Sequence, residues 1–339
     1  MKPKSHFLLL FCIFMAGCSK KGSPPHQISN LTNSPKTGVA TIFAGNGQTG
    51  LADGKGVASF GEAWGIVMDK SGNLFVADNH TTLIRKVTPD GSVSTFAGNI
   101  TGASTGHNVS VDGTGTSASF SAPAGMTIDD AGNLFIADAA VIREITPAGV
   151  VTTVPGSHYY NNSNFVGITR DAAGNLYAAD SYNRVILKFS NGTSSIYAAG
   201  YATGASSSLN VFVQALGIAI DNSGNLFLVD GANAIRKITA NKSVTTIAGI
   251  PMQSGFTNGA GSLATFLNPF GIVLDDAGDL FVSDYGNRAI REILPNGNVS
   301  TVLLTNDGNT QNGPGDMIFD RSGNIYLAEG ASILKVTLK

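Results

Sequence analysis

A seven-residue phrase recurs six times along the chain. It runs Gly72-Asn73-Leu74-Phe75-Val76-Ala77-Asp78 and returns as GNLFIAD over 132–138, GNLYAAD over 174–180 and GNLFLVD over 224–230. It returns again as GDLFVSD over 278–284 and GNIYLAE over 323–329. A phrase repeated at this interval means that one supersecondary unit is copied, with each copy burying its apolar surface against its neighbours. Around the phrase each unit has four parts. Gly65-Ile66-Val67-Met68-Asp69 is a first strand, and Ser71-Gly72 marks a tight turn. Leu74 to Ala77 is a second strand and Ile84 to Val87 a third, followed by the turn Thr88-Pro89-Asp90-Gly91. Val93 to Ala97 is a fourth strand.

The second strand is apolar at four consecutive positions, whereas a sheet with one wet face would alternate. It must therefore be covered on both faces. Four-stranded sheets stacked face to face around an axis do this. The first-strand glycines Gly65, Gly125, Gly167, Gly217, Gly271 and Gly315 recur at intervals of 42 to 60 residues, enough for a four-stranded blade and its linker. The last unit stops at its third strand, Leu334-Lys335-Val336-Thr337. An orphan strand, Val39 to Gly45, precedes the first unit and reads like the fourth strands elsewhere. The expectation is an all-β, six-bladed β-propeller over 37–339 in which the N-terminal strand closes the last blade and removes two exposed sheet edges.

The units resemble NHL repeats. The fifth shows it best, with Asn268-Pro269-Phe270-Gly271-Ile272, Gly278 to Val282, Asp284-Tyr285-Gly286-Asn287-Arg288 and Ile290-Arg291. The resemblance implies the fold and leaves the function open, since members include amidating lyases, binding modules and many proteins of unknown role.

The first residues read as an export signal over 1–17, with Lys2 and Lys4 ahead of the apolar stretch Phe7 to Met15. Met15-Ala16-Gly17-Cys18 resembles the lipobox of bacterial lipoproteins, which implies cleavage before Cys18 and acylation of that cysteine. The other cysteine, Cys12, lies in the removed segment, so the mature fold would hold no disulfide and no Cys metal site. Residues 18–36, with Pro24, Pro25 and Pro35, read as a flexible tether. The expected location is a bacterial cell envelope, anchored to a membrane by lipid on Cys18, the outer membrane if the cell is Gram-negative. A net charge of −2 gives no electrostatic footprint for nucleic acid.

Strand direction alternates within a blade, so loops segregate by face. The turns joining strands one to two and three to four are short and uniform. The two-to-three loops and inter-blade linkers, on the other face, are long and varied, and function concentrates on such loops. The acidic ring Asp78, Asp138, Asp180, Asp230, Asp284 and Glu329 ends the second strands on that face. Its presence in every unit favours capping carboxylates paired with Arg85, Arg143, Arg236 or Arg291 over a cation or sugar site. Trp64, Ala124, Val166, Leu216, Phe270 and Pro314 directly precede the first-strand glycines and should ring the channel mouth.

The candidate ligand face is Trp64, His80, His158, Tyr182, Phe270 and Tyr285, recognising a peptide, glycan or partner protein. His80, His107 and His158 are weak candidates for a metal site. Three histidines would suit catalytic zinc, as in the amidating lyases of this fold, and a divalent cation is the one cofactor considered. Gly61-Glu62 faintly echoes the gluconolactonases, whose remaining ligand pattern is missing. Binding or scaffolding is favoured over metal-dependent catalysis, and no catalytic residue is assigned.

Overall fold

The computed structural model describes residues 35–100, 109–160, 162–200, 211–305 and 313–339. The signal, the tether through residue 34, Cys18 and His107 fall outside the described residues. Six sheets, antiparallel apart from one outermost strand of the sixth, are arranged as the repeat predicts. In blade one the inner strand is Ala63–Met68, followed outward by Leu74–Asp78, Leu83–Val87 and Ser92–Ala97. The six inner strands surround one axis, and the sixth, Met317–Phe319, packs beside the first.

The repeated phrase can be read residue by residue. Gly72 takes a φ of +81°, which a side chain would strain. Asp69 Oδ1 accepts from the Ser71 and Asn73 N–H groups, and Asn73 Nδ2 donates to Asp69 Oδ2, which locks the turn. Leu74 to Asp78 is buried throughout. Six apolar clusters result, one at each blade interface. Ile66, Leu74 and Val76 of blade one meet Tyr326, Ala328 and Ile333 of blade six, for example, and Val67 and Phe75 meet Met126, Leu134 and Ile136 of blade two.

The closing strand is present. Thr37–Ala44 pairs antiparallel with Ser332–Leu338, from Gly38 opposite Leu338 to Ala44 opposite Ile333. It is not the outermost strand, because Leu303–Thr305 lies parallel to it on the outside. Blades one, two, five and six thus have five strands instead of the four expected. In blades one, two and five the fifth strand comes from a linker read as merely variable, at Gly54–Lys55, Gly113–Thr114 and Gly259–Ala260. These linkers carry a second repeat, Ala-x-Phe, whose Phe60, Phe120 and Phe266 are fully buried. Its spacing varies, so it is harder to see than the seven-residue phrase.

Blade five departs from the pattern at two positions. The Asn of the turn is Asp279, beside Asp275. The strand-three residue opposite the strand-two aromatic is Lys in four blades, as in Phe75 opposite Lys86 and Tyr326 opposite Lys335, but Glu in two: Glu144 opposite Phe135 in blade two and Glu292 opposite Phe281 here. Lys36, at the start of the closing strand, answers both changes. Its Nζ lies 2.6 Å from Glu292, 3.3 Å from Asp279 and 3.6 Å from Asp275. It also sits 4.6 Å from the centre of the Phe281 ring. The residue read as the end of a tether is therefore an anchor, and the described chain enters the propeller on the short-turn face.

Candidate functional site

The glycines of the inner strands set the width of the axis. A Cβ on Gly125 would lie 2.5 Å from the Val166 carbonyl oxygen, on Gly167 2.4 Å from that of Leu216, and on Gly217 2.3 Å from that of Phe270. Each inner strand thus abuts the backbone of the next, and any side chain here would force the blades apart. What remains at the axis is a cavity of about 30 Å³. Above it, on the face of the inter-blade linkers, the mouth widens to about 690 Å³.

The acidic ring fixes the walls of the mouth. Asp78 accepts from the N–H groups of Gly61 and Glu62, both at 2.9 Å. Asp138 does so from Ser121 and Ala122, Asp230 from Val213 and Gln214, and Asp284 from Leu267. Behind them Arg143 lies 3.3 Å from Asp138, Arg236 2.9 Å from Asp230 and Arg291 2.8 Å from Asp284, all deeply buried. Arg85 is 3.7 Å from Asp78 and donates instead to the Ser59 and Ala52 carbonyls and to Asp53. Burial pushes the Asp138 and Asp284 carboxyls up, against the pull of their hydrogen bonds and arginines. These four aspartates hold linkers and arginines, and Asp180 holds its own linker by accepting from the Asn164 N–H, the capping role expected of them.

Four residues of the predicted ligand face come together. Trp64, His80, Phe270 and Tyr285 line the mouth cavity, with Glu62, Gln214 and Asn268 among the polar residues beside them. Trp64 and Phe270 meet edge to face, ring centres 5.4 Å apart at 75°, a favourable aromatic geometry. Tyr285 is 45% exposed, so its ring is open to a ligand. Tyr182, 65% exposed, and His158 do not line this cavity. His80 and His158 therefore do not share it, and among the described residues no group of three or more His, Cys, Asp or Glu side chains is placed to hold a metal ion.

Sequence reasoning missed Asp316. It follows Gly315, where the other five units carry Ile66, Met126, Ile168, Ile218 and Ile272. One acid in an apolar column was the signal. Asp316 lines the small axial cavity and accepts from the N–H groups of Met317 and Ile66. It is only partly buried, and the surrounding protein desolvates its carboxyl enough to push it up to about 7 despite the two hydrogen bonds.

Comparison with known proteins agrees with this architecture. The family model of the teneurin NHL domain matches residues 107–172. Mouse teneurin-3 is 23% identical over 230 residues, 54% of this chain, and mouse teneurin-1 is 26% identical over 229 residues. The chain spans only 8% of either relative's length. Among solved structures, a Bacteroides thetaiotaomicron protein of unknown function superposes with a TM-score of 0.69 at 18% identity, covering 90% of this chain and 76% of that one. An auxiliary nutrient binding protein from the same species gives 0.66 at 16% identity, covering 89% and 77%. A gluconolactonase from Xanthomonas campestris gives 0.62 at 12% identity, covering 90% and 95%. At these identities the structural likeness speaks to the fold alone.

Proposed function

We propose that this six-bladed NHL-repeat propeller is a lipid-anchored binding protein of a bacterial cell envelope, which takes a peptide, glycan or partner protein at the mouth of its axis. The observation that carries the reading is the cavity of about 690 Å³ between Trp64, Phe270, Tyr285 and His80. It lies within the size range of small-ligand sites, with aromatic walls and a few polar groups. The solved neighbours described as nutrient-binding proteins support a binding role for such a propeller.

The closing strand Thr37–Ala44 begins on the short-turn face, next to Lys36 and Asp279, and ends on the mouth face. Mass spectrometry of the mature N-terminus tests the anchor, with Cys18→Ser expected to abolish acylation. Capture of envelope peptides, glycans and proteins tests the binding role. Trp64→Ala and Tyr285→Ala should each weaken a captured ligand by about 1 kcal/mol or more if they are anchors. The reading fails if both leave binding intact while substitutions in the short turns abolish it. Elemental analysis of purified protein tests the metal-dependent enzyme alternative. Stoichiometric zinc or calcium lost on replacing His80, His107 and His158 would favour it.

A further inference from the structure

The small axial cavity lies directly beneath the mouth. Trp64 and Phe270 line both, and Gly315 of the mouth is followed by Asp316 of the cavity. The rest of the cavity wall is glycine backbone and apolar side chains, including Val166, Ile168 and Ile218. A single carboxyl thus stands at the narrow part of an aromatic-walled funnel. Among the described residues its charge meets no ion pair, only two backbone N–H groups.

We propose that Asp316 is the recognition group for a primary ammonium, carried on an aliphatic stem that passes Trp64 and Phe270 from the mouth. The inference rests on the reading of the mouth as a ligand site and names the chemistry of its floor. About 30 Å³ admits one head group the size of a water molecule. That is room for an ammonium but not for a guanidinium or a sugar ring. Aromatic rings attract such a cation when it is desolvated, and the carboxylate supplies the opposite charge. Calcium or magnesium requires six or more oxygen ligands, and among the described residues Asp316 is the one acidic side chain lining the cavity. A lysine side chain, a polyamine or an amino-alkyl glycan substituent all share the required head and stem.

Burial holds the Asp316 carboxyl near neutrality at about 7, so binding has a predictable pH dependence. The carboxyl is mostly protonated at about pH 6 and mostly ionised at about pH 8, while an alkylammonium stays charged throughout. The other titratable side chains of the mouth are Glu62, His80 and Tyr285. Histidine as a residue type titrates in this window, so the measurements are repeated in His80→Gln.

The test uses n-pentylammonium and 1-pentanol as probes. Trp64 is the only tryptophan in the chain, so its fluorescence reports on the funnel directly. Pentylammonium should shift the emission saturably. Its affinity should rise about tenfold between about pH 6 and about pH 8, following ionisation of a single carboxyl. Asp316→Asn, which keeps the side-chain volume and an acceptor oxygen, should abolish that rise and weaken binding. Pentanol should bind no better at high pH. If both probes shift Trp64 equally in the wild type and in Asp316→Asn, the ammonium assignment is overturned while the mouth stands as a binding site. Tighter binding of pentanol at low pH would overturn it in favour of a protonated Asp316 donating to a hydroxyl. If neither probe moves the emission, the Asp316 site is refuted, and the mouth is judged separately by capture with Trp64→Ala.

Discussion

Replacing Lys36 by Met removes one charge and keeps an aliphatic stem over Phe281. In the wild type Lys36 Nζ lies 2.6 Å from Glu292, whose side chain is 6% exposed, and within 3.6 Å of Asp279 and Asp275. Breaking a fully buried pair costs about 3–5 kcal/mol and an exposed one at most about 1. The Lys36 side chain is 33% exposed, so solvent screens part of the loss, and about 2 kcal/mol is expected near neutral pH. For a protein of this size that is a fall in Tm of about 3 °C.

The sign of the pH dependence follows from Asp279. Burial and the charge of Asp275 already raise its carboxyl in the presence of Lys36, and removing the cation raises it further. A carboxyl whose folded pKa exceeds its unfolded value costs nothing when both states are protonated. It costs progressively more as pH rises through the folded pKa. The penalty of Lys36→Met should therefore be largest at neutral pH and above, and should shrink in acid. Asp279→Asn, which restores the turn residue of the other five blades, should recover roughly 1 kcal/mol in the Lys36→Met background and change the wild type little. Urea unfolding followed by circular dichroism across pH, at fixed ionic strength, measures all four proteins. A penalty under about 0.5 kcal/mol at neutral pH, or one equal at every pH, would refute the clamp.

Four further outcomes are expected. Deleting residues 37–45 removes the strand between Ser332–Leu338 and Leu303–Thr305, so light scattering should show aggregation from the exposed edge. Gly217→Ala places a Cβ 2.3 Å from the Phe270 carbonyl oxygen and should cost about 2–4 kcal/mol in denaturant unfolding. Arg143→Met strands the buried Asp138 carboxylate and should cost about 3–5 kcal/mol. Asp316→Asn should become the more stable protein as pH rises. The wild-type carboxyl goes from 3.8 to about 7 on folding, so ionising it above pH 7 costs up to roughly 4 kcal/mol that the amide does not incur. Calorimetric melting at acid and alkaline pH reads the difference.

The sequence by itself determined the ring and its closure. The seven-residue phrase carries its own physics: a glycine where φ is positive, an asparagine that locks the turn, four residues buried on both faces and an aspartate that caps the linker leading into its own blade. The orphan strand at 39–45 announced closure because the sixth unit lacked a fourth strand. These signals are local and repeated, so one chain shows them six times. Only the tertiary structure decided which departures from the repeat matter. Asp279 and Glu292 look like ordinary acidic substitutions until Lys36, more than 240 residues away in sequence, is found between them. Trp64, His80, Phe270 and Tyr285 converge on one cavity while Tyr182 and His158 do not line it, because linker geometry and not spacing aims them. Asp316 is one residue in a column of isoleucine and methionine. Its chemistry appears only when six glycine-lined strands meet at a narrow axis that partly desolvates it.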